Sequence, residues 1–317
     1  EYSVVSDGVP TSKKRIVEIP KGLKPGATAE IVIKSLDLTG IHAEAYVELT
    51  FTLAKATNWA PAGFELAFGQ IQIHAPAPLP PLSTLSLSAA PSCPTITTLS
   101  PSLFQITTET TTYTFSPTTC ALLTLTHPGH PPLLTAPLTP IFYRAPTDND
   151  LPPSRGWHDS FLHLARPHPI SCTTATSSER NIATITTITR FAPPVLAWSI
   201  LLTTTYTFTP THLHISLRGH PSGPKLPETL PRIGLEFGLA NQFDQAKWWG
   251  RGPGEGYADT KMAQRFGNWE AEDDKDGEGG RGLWTGYEWP QEGGARTDVR
   301  WVEFSDKGDR SEERRVG

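Results

Sequence analysis

Three neighbouring stretches decide the fold class: IATITTIT at Ile182–Thr189, WSILLTTTYTF at Trp198–Phe208 and HLHISL at His212–Leu217. Each is rich in β-branched and aromatic residues, which are enriched in strands. Each is short and bounded by proline, glycine or serine, and no helical period separates one from the next. The three stretches therefore predict neighbouring strands of an antiparallel sheet.

Similar strand signals recur along the chain, at Ala27–Ile33, His42–Leu53, Gly63–Ile73, Thr112–Phe115 and Leu122–Thr126. The 31 prolines are spread widely and break almost every candidate helix. Many short strands at this spacing predict an all-β fold built from antiparallel sandwiches. The Thr-rich tract at 173–189 is also compatible with a mucin-like or disordered stalk. Against that alternative, Ile182, Ile185 and Ile188 interrupt it with core-type side chains.

A proline-rich stretch, HAPAPLPP at His74–Pro81, marks a domain boundary. Such stretches are semi-rigid and cannot pair in the middle of a sheet, so they suit linkers. We therefore predict a small sandwich over residues 1–75 and a large antiparallel sandwich over residues 82–309.

The start of the chain and its bulk composition limit its class. It begins with Glu1 and its one methionine is Met262, so we expect a piece of a longer or processed product. The net charge is −5, and no basic patch with interleaved aromatics occurs, which argues against a nucleic-acid partner. Residues 1–20 show no secretory signal, although a signal upstream of Glu1 stays open, and no apolar run is long enough to span a bilayer. We therefore predict no membrane partner and a cytoplasmic location.

Thiol and imidazole groups give no metal or redox signal. The three cysteines are Cys93, Cys120 and Cys172. They are odd in number and form no CxxC pair, so they are interpreted as buried or incidental thiols. His212 and His214 point to one face of a predicted strand, but no carboxylate or cysteine lies nearby in sequence to complete a metal site. His127 and His130 flank a Pro-Gly turn and are discounted in the same way.

The glycine-rich run GRGPGEG at Gly250–Gly256 is a candidate nucleotide loop. It lacks the GxGxxG register, Pro253 removes a backbone donor, and no Lys-Ser/Thr pair follows. The preceding segment Gln245–Trp249 is not predicted to be a buried strand. A phosphate-binding loop is therefore excluded, and a tight loop with close backbone approach is expected.

Carboxylates suited to glycoside hydrolysis would have to come in a pair about 5 Å apart in a retaining enzyme. The candidates are Asp148, Asp150, Glu255, Asp259, Glu292 and Asp298. All lie in turn-like contexts, and none has the apolar flanks that raise a carboxyl pKa for acid catalysis. They are predicted to be turn-forming and interface residues.

Aromatic residues crowd the last quarter of the chain, at Trp248, Trp249, Tyr257, Trp269, Trp284, Tyr287, Trp289 and Trp301. Flat rings suit the apolar faces of sugars, and they suit domain cores and interfaces equally well. A core or interface role is favoured.

Four stretches together resemble one family: Phe142–Asp150 (FYRAPTDND), Trp248–Asp259 (WWGRGPGEGYAD), Tyr287–Val302 (YEWPQEGGARTDVRWV) and Asn58–Ile73 (NWAPAGFELAFGQIQI). They are similar to signatures of the C-terminal domains of long-chain β-galactosidases of glycoside hydrolase family 2. The first three resemble the large final sandwich, which is the small chain of two-subunit versions. The fourth resembles the immunoglobulin-like domain before it. The likeness covers most of residues 1–304, although 76–140 and 156–195 match only as a loose strand pattern.

The resemblance implies a small immunoglobulin-like sandwich followed by a large sandwich that is incomplete at its C-terminus. In the family, the catalytic glutamates and the Mg²⁺ and Na⁺ ligands lie in a (β/α)₈ barrel that precedes these domains. No position in this sequence matches that barrel, so no catalytic, cofactor or metal residue is assigned. The resemblance further implies a galactoside as the parent's substrate, the barrel of the same or a partner chain as a partner, and a homo-oligomeric parent.

Ten residues of the matching motifs are expected to be structural signature positions: Arg144, Asp148, Asp150, Trp249, Gly252, Glu255, Tyr257, Asp259, Arg296 and Asp298. One substrate-contact candidate is Trp198, because Phe191–Ser199 aligns loosely with a loop at the active-site mouth of the family. Pro193 and Pro194 stiffen that loop, and Trp198 is equally compatible with a core position.

Two segments depart from the family pattern. The run EAEDDKDGEGGRG at residues 270–282 is interpreted as a polar surface loop. The final RSEERRVG at Arg310–Gly317 matches a translated sequencing adapter, so residues 310–317 are predicted to be a non-native tail. A solvated charged tail is the alternative.

Three functional hypotheses follow. The favoured one is the accessory C-terminal region of a β-galactosidase, which supports the barrel and subunit contacts and is inactive alone. The second is a stand-alone carbohydrate-binding sandwich that uses the late tryptophans as a stacking platform. The third is the small subunit of a two-chain β-galactosidase.

Overall fold

The computed structural model describes residues 1–33, 36, 38–75, 92–272, 283, 286–305 and 315–316. Residue contacts divide the chain into two compact units. The first contains Glu1–Pro80, Phe243–Gly286 and Gly293–Gly317, and the second contains Pro81–Gln242 and Tyr287–Glu292. The first unit thus combines the two ends of the chain, and the second is built mainly from its middle.

One sheet of the first unit has four antiparallel strands in the order β2–β1–β3–β4. The strands are β1 (Tyr2–Ser6), β2 (Val9–Pro10), β3 (Ala45–Thr52) and β4 (Glu65–His74). The last two confirm the strands predicted around residues 42–53 and 63–73. Tyr2, Val4 and Val47 are buried together on one face of this sheet.

The prediction of a strand at Ala27–Ile33 is wrong, because this segment has irregular backbone. Pro20 and Pro25 deny donors to a ladder in the chain leading to it. Its apolar residues are nevertheless used, since Ile33 packs with Val17 against the buried face of the β1–β4 sheet. The β-branched residues of this segment therefore belong to an irregular stretch that covers one face of the β1–β4 sheet, and not to a strand.

The second sheet of the first unit has the order β16–β15–β17–β18. Its strands are β15 (Gln245–Gly252), β16 (Arg265–Glu272), β17 (Trp301–Ser305) and β18 (Arg315–Val316). The expectation that Gln245–Trp249 is not a buried strand is wrong. Ala246, Trp248 and Trp249 are buried within β15, and burial of consecutive residues on both faces removes the alternation that marks a one-sided strand.

A side-chain amide closes part of the outer edge of β16. Gln70 on β4 donates from Nε2 to the carbonyl of Phe266 at 2.8 Å, and the Phe266 N–H donates to Gln70 Oε1 at 2.7 Å. An amide side chain carries the same donor and acceptor as a peptide group. Gln70 therefore occupies the two backbone groups that an additional strand would use, which protects the edge against unwanted pairing.

The second unit contains a six-stranded sheet in the order β14–β9–β8–β7–β6–β5 and a four-stranded sheet in the order β10–β11–β12–β13. The six strands are β5 (Thr95–Ser100), β6 (Leu103–Thr107), β7 (Thr112–Ser116), β8 (Ala121–Thr126), β9 (Leu134–Ile141) and β14 (Gly234–Leu239). The four strands are β10 (Arg166–Ser177), β11 (Ile182–Ala192), β12 (Ser199–Phe208) and β13 (Leu213–Ser222).

These two sheets bury a shared core, as in a sandwich. Phe115 from the six-stranded sheet meets Tyr206 from the four-stranded sheet edge to face, with ring centroids 5.1 Å apart. Tyr113 and Phe208 repeat this arrangement at 5.0 Å. Edge-to-face pairs of buried aromatics add to the stabilisation that comes from the area they bury.

The Thr-rich tract forms part of this sandwich, so the stalk alternative is wrong. Strands β10 and β11 pair antiparallel along their length. Along β11, Ala183, Ile185, Thr187 and Thr189 are buried, whereas the residues between them are half-buried. This alternation is the pattern of a strand with one face on a core.

One short helix, α1 (Leu151–Asp159), interrupts the strands. Its two prolines lie in the first turn, where backbone N–H groups have no helical partner and proline is tolerated. Trp157 is buried and donates from Nε1 to Thr229 Oγ1 at 2.9 Å. The sequence analysis expected prolines to break helices. In α1 they instead occupy the first turn, where they are tolerated.

The fold class is confirmed as all-β, with antiparallel sheets and, within the described ranges, one short α-helix. The domain boundaries 1–75 and 82–309 stay a prediction. The two units are defined by residue contacts in the fold, and such units need not coincide with domains defined by sequence. The predicted tail 310–317 lies outside the described residues except for β18, which pairs with β17. The run 270–282 lies outside them from residue 273 onward. In the part of the chain that is described, no helix is long and apolar enough to cross a membrane.

Candidate functional site

The motif FYRAPTDND is organised around the carboxylate of Asp150. Arg144 Nη1 lies 2.6 Å from Asp150 Oδ2, and both the backbone N–H and the hydroxyl of Thr147 donate to the same oxygen at 2.8 Å. Arg144 Nε also donates to the carbonyl of Pro231 at 3.2 Å. These bonds form a capping box on the 3₁₀ turn Asp148–Asp150, which leads into α1. They are the bonds of a residue that anchors a turn.

The charge of Asp150 is stabilised in the folded protein. Burial alone raises the pKa of this carboxyl, but hydrogen bonds from Arg144 and Thr147 outweigh burial and lower the pKa below its ordinary value. A lowered pKa keeps Asp150 ionised near neutral pH, so it is unsuited to serve as a proton donor there.

We expect Asp150→Asn to lower the free energy of unfolding at neutral pH by about 1–3 kcal/mol, because Arg144 loses its charged partner. A group whose pKa is lowered by folding stabilises above its unfolded pKa of about 3.9, and this contribution is lost as the pH falls through the folded value. Urea unfolding at neutral pH and near pH 3 measures both effects. Asp148→Asn, in the same turn but exposed, is the matched control. An equal loss in both variants, or a loss independent of pH, would contradict the prediction.

In the first unit, Arg251 of WWGRGPGEGYAD binds Asp298 of YEWPQEGGARTDVRWV. Arg251 Nε donates to Asp298 Oδ2 at 2.6 Å, and its Nη1 donates to the carbonyls of Lys261 and Gln264 at 3.1 and 3.0 Å. The hydrogen bond from Arg251, helped by the charges of Lys261 and Arg251 and opposed by burial, lowers the pKa of Asp298. One guanidinium thus connects three segments of the loop region.

The glycines of GRGPGEG allow close packing. A Cβ added to Gly252 would lie 2.6 Å from Cδ1 of Trp269, so any side chain there would displace that ring. The Gly256 N–H donates to the carbonyl of Ala295 at 3.0 Å, and Glu255 accepts a short hydrogen bond from the Gly294 N–H. Close backbone approach accounts for the glycine content without a phosphate.

Three other signature residues belong to the same loop region. The guanidinium of Arg296 lies 5.2 Å from the centroid of the Trp248 ring, within the range of a cation–π interaction. The Tyr257 N–H donates to Thr260 Oγ1 at 2.9 Å, which closes the turn that carries the exposed Asp259.

The third signature stretch is divided between the two units. Gln291 accepts a hydrogen bond from the Asp148 N–H at 3.1 Å, and Glu292 forms an ion pair with Arg232, all within the second unit. Residues 293–302 belong to the first unit with the WWGRGPGEGYAD loop. In the sequence these residues form one continuous motif. In the fold, residues 287–292 belong to the second unit and residues 293–302 to the first.

Four of the six candidate carboxylates, Asp150, Glu255, Glu292 and Asp298, have partners within their own units. Asp150 and Asp298 have lowered pKa values, the reverse of what a general acid requires. Glu255 is bonded to a backbone N–H and Glu292 to an arginine. The assignment of no catalytic residue stays a prediction.

The histidines and cysteines do not assemble a metal centre among the described residues, which hold no group of three or more His, Cys, Asp or Glu side chains that could hold a metal ion. The three cysteines are free. Burial raises the pKa of Cys120, and burial together with Cys120 raises the pKa of Cys172 to about 11. Both are therefore protonated and weakly nucleophilic near neutral pH.

A buried ionic cluster in the first unit was missed from the sequence. Glu44, 2% exposed, accepts hydrogen bonds from Arg300 Nε and Nη2 at 2.9 and 2.8 Å. Its Oε1 also accepts from Tyr46 Oη at 2.7 Å and from Gln72 Nε2 at 3.0 Å. We call Glu44, Tyr46, Gln72 and Arg300 the Glu44 cluster. Glu44 and Tyr46 are two residues apart in a predicted strand, so their side chains were expected on the same face. Nothing in the sequence indicated that Arg300 would bind them.

The Glu44 cluster is electrostatically balanced. Burial raises the pKa of Glu44, but hydrogen bonds from Arg300 and Tyr46 and the charge of Arg300 outweigh burial, so the pKa is lowered. Burial and the neighbouring carboxylate raise the pKa of Tyr46, which keeps its hydroxyl a donor. Tyr46 stacks on Phe266 and meets Trp249 edge to face, so the cluster adjoins an aromatic core.

Of the seven late aromatics that the structure describes, two are buried, three are half-buried and two are exposed. Trp248 and Trp249 are buried, and Tyr257, Trp269 and Trp301 are half-buried. Tyr287 and Trp289 are exposed, and Trp284 lies outside the described residues. Buried rings have no free face for a sugar, which weakens the proposed stacking platform.

Trp198, the candidate substrate contact, lies in the core of the second unit, the alternative position that the sequence also allowed. Its side chain is fully buried with Trp157, Phe191 and Leu202. Its indole Nε1 donates to the carbonyl of Ser160 at 2.8 Å, which satisfies the one polar group of the ring. The enclosed ring offers no free face to a ligand in this structure, and a substrate contact at Trp198 stays a prediction.

A cavity of about 690 Å³ in the first unit lies between β4 and the 3₁₀ turn Lys261–Ala263. Its lining includes Phe68, Arg251 and Phe266. The charged groups around it already have partners, since Arg251 pairs with Asp298 and Glu65 with Arg265. The cavity therefore presents no converging catalytic groups.

Comparison with known proteins gives two family matches. The family model described as "Beta galactosidase small chain" matches residues 107–314, more than half of the chain. The model described as "Beta-galactosidase, domain 4" matches residues 1–74. These matches cover the region of the immunoglobulin-like resemblance and most of the region assigned to the large sandwich.

Curated relatives include β-galactosidase BgaC of Bifidobacterium adolescentis, 27% identical over 306 residues, which are 96% of this chain and 28% of the relative. A β-galactosidase of Klebsiella pneumoniae is 26% identical over 303 residues, with 89% and 27% covered. A β-galactosidase of Kluyveromyces lactis is 29% identical over 168 residues, with 53% and 16% covered. The chain spans between 16% and 28% of the length of these relatives.

Proposed function

Because this chain belongs to the β-galactosidase family, in which it carries domain 4 and the small-chain domain, we propose that it is the accessory region of an enzyme that hydrolyses terminal β-D-galactosyl residues. In this proposal it buttresses the catalytic barrel, contributes to subunit contacts in a homo-oligomer and is inactive alone. The barrel supplies the catalytic carboxylates and the Mg²⁺ and Na⁺ sites. The cytoplasmic location stays a prediction.

The observation that carries the proposal is that two family matches cover most of the chain while its signature carboxylates already have partners. The two family matches extend from residue 1 to residue 314 with one gap. The signature carboxylates Asp150, Glu255 and Asp298 are all bonded to arginine or to backbone N–H groups within their own units. Such groups hold loops in fixed shapes, which suits a supporting role.

The activity test compares three proteins. One is the purified 317-residue chain, the second is BgaC of Bifidobacterium adolescentis cut before its region of similarity, and the third joins that upstream part to this chain. We expect hydrolysis of a chromogenic β-galactoside only by the joined protein, because the barrel needs its supporting domains. Turnover by the chain alone, or equal turnover with and without it, would contradict the proposal.

Two alternatives stay distinguishable. The small subunit of a two-chain enzyme is supported by the match to the small-chain family model, and the reading frame upstream of Glu1 decides between one chain and two. A stand-alone galactose-binding module predicts a saturable change in tryptophan fluorescence when galactose or lactose is added to the chain. We expect no such change, because among the late tryptophans that the structure describes only Trp289 is exposed, and a stacking platform would need several exposed rings.

A further inference from the structure

Two of the three cysteines, Cys120 and Cys172, belong to opposite sheets of the sandwich in the second unit. Cys120 is buried and immediately precedes β8 of the six-stranded sheet. Cys172 lies on β10 of the four-stranded sheet, directly opposite Thr187 on β11. Because the Thr187 side chain is buried on the inner face of that sheet, the Cys172 side chain points to the same face, where it packs against the shared core.

The thiol of Cys120 reaches across to β10. Its Sγ donates to the carbonyl of Ser171 at 3.6 Å, and Ser171 directly precedes Cys172. A carbonyl oxygen and the next Cα are about 3 Å apart in a trans peptide, so Cys120 Sγ lies within about 7 Å of the Cys172 Cα. Disulfides join cysteines whose Cα atoms are about 4.4–6.8 Å apart. A bond between Cys120 and Cys172 is therefore in reach once the two side chains turn toward each other.

The two thiols also share a neighbour, the hydroxyl of Tyr206 on β12. Burial is the main cause that raises the pKa of Tyr206, and Cys120 and Cys172 each raise it further. Cys120 in the same way adds to burial in raising the pKa of Cys172. Such effects between ionisable groups weaken with distance. They therefore agree with the hydrogen bond to Ser171 in placing both sulfurs close together in the core.

We propose that Cys120 and Cys172 form a reversible disulfide that joins the two sheets of this sandwich, with a small disulfide of the glutathione class as the oxidant. The thiolate of the half-buried Cys172 attacks one sulfur of the oxidant, which forms a mixed disulfide and releases one glutathione. The Cys120 thiolate then attacks Cys172 Sγ and releases the second glutathione. The two protein thiols lose two protons and two electrons, and the two glutathione thiols that leave carry them away.

The bond has a consequence for stability. It closes a loop that contains β8, β9 and α1. A cross-link between residues distant in sequence restricts the unfolded chain, so we expect the oxidised protein to melt about 5 °C or more above the reduced protein. Because burial raises the pKa of both thiols, oxidation is slow at neutral pH and faster in mild alkali.

Oxidation of the purified 317-residue chain with glutathione disulfide in mild alkali tests the pair. We expect the loss of two of its three thiols, and mass spectrometry of a non-reduced digest should find the Cys120 peptide linked to the Cys172 peptide. Dithiothreitol should return all three thiols and the lower melting temperature. Three thiols that stay free, a link that involves Cys93, or glutathione retained on Cys172 without closure would each overturn the proposal.

The third cysteine supplies a matched control, because Cys93 Sγ donates to the carbonyls of Ser177 and Ile182 at 3.7 and 3.9 Å. Cys93→Ser should oxidise and gain stability as the unchanged chain does, whereas Cys172→Ser should do neither. Melting in dithiothreitol checks that each variant folds.

Oxidation of the unchanged chain in urea needs no variant. Without the fold, Cys93 and Cys120 should pair most often, because they are the nearest cysteines in sequence and shorter loops close more readily. The fold should reverse this preference in favour of Cys120 with Cys172. The same distribution of links in buffer and in urea would overturn the proposal.

Discussion

Replacing Glu44 with alanine should lower the free energy of unfolding by about 3 kcal/mol, the lower end of the loss for one partner of a buried ion pair, because the Arg300 side chain is itself 35% exposed. The variant leaves Arg300 without the carboxylate that accepts two of its N–H groups, and it leaves the Tyr46 hydroxyl and the Gln72 amide without their acceptor. Chemical denaturation followed by tryptophan fluorescence measures the loss, since Trp249 adjoins the cluster.

The matched control is Glu65→Ala, which removes an ion pair with Arg265 in the same unit, where the Glu65 side chain is 41% exposed. An exposed pair contributes about 0–1 kcal/mol, so the control should change stability little. Removing both charges with Glu44→Leu and Arg300→Leu should cost less than the two single changes added together, since no buried charge is left unpaired. A Glu44→Ala loss no larger than that of Glu65→Ala would contradict the buried cluster.

The same substitution should change the pH dependence of stability. The folded pKa of Glu44 lies below its ordinary value of 4.5. Its contribution is therefore present above the unfolded pKa and is lost as the pH falls through the folded value. Acid unfolding should be less steep in Glu44→Ala than in the unchanged protein, and identical slopes would argue against a lowered pKa.

Trp198→Ala should be the other highly damaging change, with a loss of about 3–5 kcal/mol in the free energy of unfolding. It empties a fully buried site between α1 and the four-stranded sheet, and it leaves the Ser160 carbonyl without its donor. Trp198→Phe, which keeps part of the ring volume, should cost less. Urea denaturation of the 317-residue chain measures both variants.

Trp289→Ala is the control for Trp198→Ala, because Trp289 is an exposed tryptophan of the same unit. A surface change of this kind should stay within about 0.5 kcal/mol of the unchanged protein. In the joined galactosidase, Trp198→Phe should leave KM for the galactoside unchanged. A selective rise in KM without loss of stability would restore Trp198 as a substrate contact.

The strands that the sequence predicted best are those whose burial is one-sided. In β11, buried and half-buried residues alternate, so the period of two is visible in the letters themselves. In β15 consecutive tryptophans and a glycine are buried on both faces, and the period disappears. The irregular segment at Ala27–Ile33 shows the converse, since apolar side chains packed on a sheet need not belong to a strand.

The sequence identified the residues of the signature stretches, but it did not predict which of these residues would contact each other. Resemblance identified Arg144, Asp150, Arg251 and Asp298 as members of signature stretches, but which arginine binds which aspartate is fixed by the fold. The Glu44 cluster was harder still, because Glu44 and Arg300 are 256 positions apart. Long-range pairing of this kind leaves no periodic trace in one sequence.

That separation also sets an order of events during synthesis. When Glu44 leaves the ribosome, Arg300 does not yet exist, and nearly all of the second unit is translated in the interval. Because segments fold as they emerge, we expect the middle of the protein to be built before its beginning is complete. Until then the face of β3 that carries Tyr46 has no Phe266 or Trp249 to cover it. A nascent chain with such an exposed face is a natural substrate for chaperones.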